Sequence, residues 1–438
     1  MKNINLLLSF TFILIISIPS PVFSQSVSWV KQVISVNSGK FEYSPPYLDF
    51  VTIQTYNPFD KSIKGFDTIF TQSAQDILIH GSFAYVAAQD SLIKYNLNTY
   101  KRVAAIADSG LNKLWIYSDR LIVSKQYPVN TFFVEVLDTA NLSLISEIGN
   151  ISGDCGGIVV TNDSVYVAVN GGWLGTEGKI AVLDPSSWTL TREINLGVNA
   201  IGINNLYLDE DKIYSINKTP YGLTTGSISV YDTATGTFVN KLVNFIVGNG
   251  VGIKNHMLYA IFNEGIGSFD LPSMQIVDTT IIQDPGSALF TYILSSAVDT
   301  VSNLFYINIG DYMTNGYCLV ASLNGDSVTS FHTGISTETI GIDYRVYPAG
   351  VNERKNVLSI LSLYPNPTSD KITIHYNGEE DVHEVMITDV YGEVIKPSKY
   401  NLKKYEELTI SVADLPSGMY CLVLKTDGDP VISKFIRR

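Results

Sequence analysis

From about position 25 to position 348, short apolar runs alternate with turn-forming residues, and one phrase recurs seven times. Its cleanest copies are Val182-Leu183-Asp184-Pro185 and Val230-Tyr231-Asp232-Thr233. Looser copies are anchored at Asn57, Asn96, Asp138, Asp270 and Asn324. Each is a β-branched or aromatic run stopped by Asp or Asn, whose side chains bond the backbone just ahead and cap a tight turn. The anchors recur at intervals of roughly 40 to 55 residues, the period of propeller blades. The copy that begins at Gln75 predicts four strands: Asp76 to His80, Phe83 to Ala88, Ser91 to Leu97 and Tyr100 to Ile106. The same four-strand order runs from Gly157 to Leu196, from Ile201 to Leu242 and from Val251 to Ile282. Apolar spacing at i, i+3 and i+4 is missing, which excludes helical solenoids.

These units predict an all-β protein whose residues 25–348 form a seven-bladed β-propeller, with six or eight blades left open by the blurred first and sixth copies. The segment Thr339-Ile340-Gly341-Ile342-Asp343 repeats an inner-strand phrase but has no further strands after it. The first copy lacks that strand. The C-terminal segment is therefore expected to complete the first blade and remove the last open edge. A polar linker at 349–357 leads to a smaller unit at 358–438. Its alternating strands are Lys371 to His375, Glu384 to Asp389, Leu408 to Val412, Met419 to Lys425 and Val431 to Ile436, and they predict a small Ig-like β-sandwich.

Composition fits this picture. The 438 residues are 45% hydrophobic and 16% charged, with 26 Tyr and 33 Gly. A net charge of -13 without a basic stripe excludes nucleic acid as a partner. Residues 1–24 read as a signal peptide: Lys2, an apolar stretch from Leu6 to Ile18, then Val22-Phe23-Ser24 before a cut at Gln25. No later stretch is apolar enough for a transmembrane helix, so the mature chain is expected to be exported without one. Cys155, Cys318 and Cys421 lack metal or redox spacing. A Cys155–Cys318 disulfide is open to an exported protein, but buried free thiols are the favoured reading.

Several motifs of the last unit occur in a fixed order: Tyr364-Pro365-Asn366-Pro367, Asp389-Val390-Tyr391-Gly392, Leu415-Pro416-Ser417-Gly418-Met419-Tyr420 and the terminal Lys434-Phe435-Ile436-Arg437-Arg438. Together they resemble the type A C-terminal sorting domain of the type IX secretion system of Bacteroidetes. The resemblance implies passage through the periplasm and across the outer membrane to the cell surface or the medium. It also implies two partners, the type IX machinery and the C-terminal signal peptidase that removes such domains. The larger unit is more loosely similar to YncE/YVTN-like propellers, on its Val-Tyr-Asp-Thr phrase and the segment Leu294 to Asn308.

In a blade of antiparallel strands, the links between strands two and three emerge on the same face as the links between blades. Here those loops are long and aromatic, which is where function concentrates. They carry Tyr127, Trp173, Tyr221 and Tyr312, and the blade-entry residues Asp154, Asn199, Asn249 and Asp284 are expected on the same face. Aromatic surface with amide and carboxyl groups suits a neutral, flat or polyhydroxylated ligand: a glycan, peptide or small molecule. The plainer reading is that these residues cover loops and make turns. No catalytic residue, metal site or cofactor is expected: the five His do not converge, and His-Glu-x-x-His and Gly-x-Ser-x-Gly are both missing. The leading expectation is thus an exported binding protein. The alternatives are a propeller lyase or glycan-active hydrolase using acids such as Asp154 and Asp284, and a corrinoid- or nutrient-capturing surface protein, against which stands the missing lipoprotein Cys after the signal peptide.

Overall fold

The computed structural model describes residues 27–263, 265–286, 289–347, 361–378, 380–389, 394–398, 407–426 and 430–438. The signal peptide at 1–24 with Ser24 and Gln25, the linker at 349–357, and Gly392 lie outside them. The chain divides into two compact units, with Ser28–Arg345 in one and Val346–Arg438 in the other.

The first unit contains seven four-stranded antiparallel sheets. In the second sheet the innermost strand is Ala74–His80, followed outward by Phe83–Ala88, Ser91–Asn96 and Lys101–Ala107. The two central strands are buried almost throughout, whereas Lys101–Ala107 is mostly exposed. A strand covered by neighbouring sheets on both faces needs a continuous apolar run, and only the outermost strand can carry charge. The Asp and Asn anchors cap the turns that lead to these outer strands. The Oδ1 of Asp184 accepts from Ser186 N at 2.8 Å, that of Asp138 from Ala140 N at 2.7 Å, and that of Asp232 from Ala234 N at 3.0 Å. Asn57, Asn96 and Asp270 make equivalent bonds. In the seventh copy the capping oxygen moves: Ser322 Oγ accepts from Asn324 N and Asp326 N.

One apolar cluster lies between each pair of successive sheets. Ile34, Val36 and Ile53 of the first sheet meet Val86, Ile93 and Tyr95 of the second, and five further clusters continue to the seventh. A seventh cluster returns to the start: Val30, Val33 and Tyr56 of the first sheet pack on Tyr306, Cys318 and Phe331 of the seventh. There Tyr56 and Phe331 stack with ring centroids 3.9 Å apart. The sheets therefore form a closed, propeller-like cycle in which each buries both faces against its neighbours.

The closing strand comes from the far end of the unit. Thr337–Tyr347 is the innermost strand of the first sheet, beside Val27–Asn37, Val51–Tyr56 and Ile63–Ile69. Polar side chains fix it. Asp343, fully buried, receives Gln32 Nε2 at 2.8 Å and both Nε and Nη2 of Arg345 at 2.6 and 2.9 Å. Gln32 Oε1 accepts from Thr55 Oγ1 and from Tyr100 Oη, and Arg345 Nη1 donates to Ser82 Oγ. The network thus ties residues of the first and second sheets to the last strand.

The second unit holds a three-stranded sheet of Leu361–Tyr364, Lys371–Tyr376 and Glu407–Ser411, and a four-stranded sheet ordered Val394–Ser398, Val382–Thr388, Gly418–Thr426, Val431–Arg437. Ile372 and Ile374 from one sheet share a core with Val385, Leu422 and Phe435 from the other. Tyr420 stacks on Phe435 at 5.7 Å and donates its hydroxyl to Pro416 O. Asn366, between Pro365 and Pro367, holds the last strand from both sides: its Nδ2 donates to Lys434 O, and its Oδ1 accepts from Ile436 N, each at 2.9 Å. Gly418 pairs with Arg437 across the same strand. Replacing Asn366 with Ala should lower the stability of this unit by about 1–3 kcal/mol, because both backbone groups lose their partner. Thermal unfolding of the full chain reads this as an earlier transition. An unchanged profile would remove the clamp from consideration.

Candidate functional site

Six innermost strands break their pairing register near their first residues: between Ala74 and Asp76, Leu111 and Leu114, Cys155 and Ile158, Ile203 and Asn205, Val247 and Gly250, and Ile293 and Ser295. A bulge inserts an extra residue and re-aims side chains. Neighbouring inner strands then meet through polar groups. Asn112 Nδ2 donates to Cys155 O at 2.7 Å, Asn204 Nδ2 to Asn249 Oδ1 at 3.0 Å, and Asn205 Oδ1 accepts from Gly250 N at 2.9 Å. Lys113 sits 3.6 Å from Asp76 and donates to Gln75 O. Burial pushes the Asp76 carboxyl up in pKa, with Lys113 opposing it; burial likewise raises Glu338 on the closing strand.

Where the loops after the second strands rise above these bulges, a cavity of about 350 Å³ opens. Asn112 and Asn204 come from the bulges. Gln126, the loop from Asn170 to Gly175, and Lys218 to Tyr221 come from the loops after the second strands of the third, fourth and fifth sheets. Gly202 is fixed by the same geometry. It has φ of +79°, and a Cβ there would lie 2.1 Å from Lys218 O, so only glycine lets the two backbones approach. At the mouth, Trp173 and Tyr221 are each 81% exposed yet stack on one another, with centroids 5.6 Å apart and an interplanar angle of 29°. Two large rings held together in water form a ready apolar platform.

The other predicted site residues divide. Tyr127, strongly exposed, donates its backbone N–H to Asp154 Oδ2 at 3.2 Å, and a Cβ on Gly172 would meet that same oxygen, so both adjoin the Trp173 loop. Asn249 reaches the cavity through its bond to Asn204. Asn199, Asp284 and Tyr312 do not line it. Asn199 lies in a 3-10 turn at Val198–Ala200, where its carbonyl accepts from Ser227 Oγ. Asp284 caps its own loop, accepting from Gly286 N and Ile293 N. Tyr312 packs 6.0 Å from Tyr292. Asn112, Asn204 and Lys218 are the lining residues that the loop-based reading passes over. The signal for Asn112 and Asn204 is two adjacent polar residues inside an apolar run, Leu111-Asn112-Lys113-Leu114 and Ile203-Asn204-Asn205-Leu206, where alternation fails because the strand bulges.

Cys155 and Cys318 are buried free thiols in the fourth and seventh sheets, and Cys421 is also free. No group of His, Cys, Asp and Glu suited to a metal ion occurs among the described residues. None of their helices is long and apolar enough to cross a membrane.

Residues 362–438 match the Secretion system C-terminal sorting domain. This tail implies secretion through the type IX system, contact with its machinery, and export to the cell surface or extracellular space. No curated protein matches the chain in sequence. Among solved structures, the chain is similar to Kuenenia stuttgartiensis hydrazine synthase at 15% identity and a TM-score of 0.50, over 63% of this chain and 95% of that one. It is also similar to the RRP9 WD40 repeats at 10% identity and a TM-score of 0.49, over 61% and 83%. At these identities the first likeness concerns the fold alone.

Proposed function

We propose that the first unit is a seven-bladed propeller of the YncE/YVTN kind that binds an extracellular glycan, peptide or small molecule, and that the Ig-like tail delivers it to the cell surface or medium before the C-terminal signal peptidase removes that tail. The observation that carries this reading is the stacked, exposed Trp173–Tyr221 pair over a polar-floored cavity of about 350 Å³. Two large rings held together at the surface present apolar area to solvent, and the cavity volume falls within the range of small-ligand sites. Asp154 and Asp284, the acids that the sequence offered to an enzyme as examples, are bonded to loop backbone, which favours binding over hydrolysis by these two.

Thermal-shift screening of the secreted protein against glycans, corrinoids and peptides tests the proposal. A ligand at a hundredfold excess over Kd stabilises the native state by roughly 2.7 kcal/mol. The Trp173→Ala/Tyr221→Ala variant should unfold at the unliganded temperature of the wild type and show no shift with the hit. A shift that survives in this variant places binding elsewhere and overturns the site.

A further inference from the structure

The cavity contains one cation that the fold leaves without a counter-charge. Lys218 directly follows the strand Lys212–Asn217, and its backbone N–H donates to Gly202 O at 2.8 Å, which fixes its place in the lining. Its ammonium makes no hydrogen bond or ion pair among the described residues. Lys113, by contrast, has both Asp76 and a carbonyl. The Lys218 side chain is exposed at the cavity wall, and partial desolvation there, with the repulsion of Lys113, holds its pKa below the ordinary lysine range. In a chain of net charge -13, an ammonium at a cavity wall that forms no ion pair among the described residues is placed to meet an anionic ligand.

The amides around it point to the rest of the ligand. The NH2 groups of Asn112, Gln126 and Asn204 each donate within the protein, to Cys155 O, Gln75 Oε1 and Asn249 Oδ1 respectively. Their side-chain oxygens accept nothing among the described residues. Three acceptors beside one ammonium call for hydroxyl donors and an anion, and they disfavour an amine, which Lys218 would repel. The aromatic pair at the mouth supplies an apolar face for a ring. Resting on the binding site proposed above, we infer that its ligand is an acidic saccharide: the ring lies on Trp173 and Tyr221, hydroxyls donate to the oxygens of Asn112, Gln126 and Asn204, and Lys218 takes the carboxylate or sulfate. This inference departs from the sequence-based expectation of a neutral ligand, because Lys218 immediately follows a strand and bears no motif.

Titration of the full chain by Trp fluorescence and calorimetry tests the inference, using uronate oligosaccharides beside their methyl esters and sulfated oligosaccharides beside their desulfated forms. The wild type should prefer an acidic member over its neutral partner by tenfold or more, and the preference should shrink with added salt. Which pair shows it separates a carboxylate from a sulfate source. Lys218→Met should erase the preference, and Lys218→Arg should retain most of it. Equal binding of acidic and neutral members, unchanged by Lys218→Met but lost in Trp173→Ala/Tyr221→Ala, overturns the acidic class and keeps the site. Saccharide binding that neither variant alters overturns both. Absence of binding by every saccharide overturns the inference, and a non-saccharide hit lost in the aromatic variant would then leave the site standing.

Discussion

Asp343→Ala should destabilise the first unit by about 3–5 kcal/mol, the cost of removing one partner from a buried ion pair. The carboxylate is fully buried and accepts three hydrogen bonds, two from Arg345 and one from Gln32. Without it the guanidinium, itself largely shielded, keeps its charge because arginine does not deprotonate in a protein. Gln32 retains only a long bond to Leu97 O on that side. The damage falls on the strand Thr337–Tyr347, whose release would expose the edge of Val27–Asn37 and open the cycle of sheets. A fall of several degrees in the midpoint of the first unit's thermal transition is expected, together with faster proteolysis near residue 337. Adding Arg345→Met to Asp343→Ala should recover part of the loss, since no charge is then stranded. A single-variant loss below about 1 kcal/mol would show that the closure rests on apolar packing such as Tyr56 on Phe331 and not on this network.

The repeats were legible because the physics that builds each sheet is local. An apolar run followed by Asp184 or Asp232 states both where a strand ends and how its turn is capped, and the backbone bonds to those carboxylates follow directly. The order of strands across each sheet needs only short connections between consecutive runs. The loops that carry Trp173 and Tyr221 could be picked out by their length, and these two residues do line one cavity. Its floor was not legible. Asn112 and Asn204 reach it because bulges displace the pairing register, and a bulge depends on what the neighbouring inner strand offers, information held some forty residues away. Asp284 shows the opposite failure. Its position by the start of an innermost strand resembles that of Asp154, but Asp154 accepts from Tyr127 beside the Trp173 loop whereas Asp284 caps Gly286 and Ile293 of its own loop, a difference in partner that short-range sequence does not show.

Lys125→Met should cost a similar amount, about 3–5 kcal/mol at neutral pH, and its penalty should depend on pH in a defined direction. Lys125 is only 1% exposed and lies between two carboxylates, contacting Asp108 and standing 3.0 Å from Glu135. Asp108 Oδ2 has no hydrogen-bond partner, so Lys125 is the main compensation for this buried negative pair. Burial, and then the neighbouring Asp108, already push the Glu135 carboxyl above the usual range, against the pull of Lys125. Methionine fills the space but removes that pull, so the folded-state pKa of Glu135 must rise further. A carboxyl whose folded pKa exceeds its unfolded value of about 4.3 binds its proton more tightly in the native state. The stability that this proton contributes is present below the unfolded value and is lost as pH rises through the folded one. The deficit of Lys125→Met relative to wild type should therefore be smallest near pH 4.5 and grow towards pH 7.5. Urea titrations at the two pH values measure it. Combining Lys125→Met with Glu135→Gln, which removes one of the two carboxylates and its titration, should restore part of the stability at pH 7.5 and reduce the difference between the two pH values, with Asp108 left to account for the remainder. A deficit that stays constant with pH would assign the role of Lys125 to packing of its methylene chain and not to its charge.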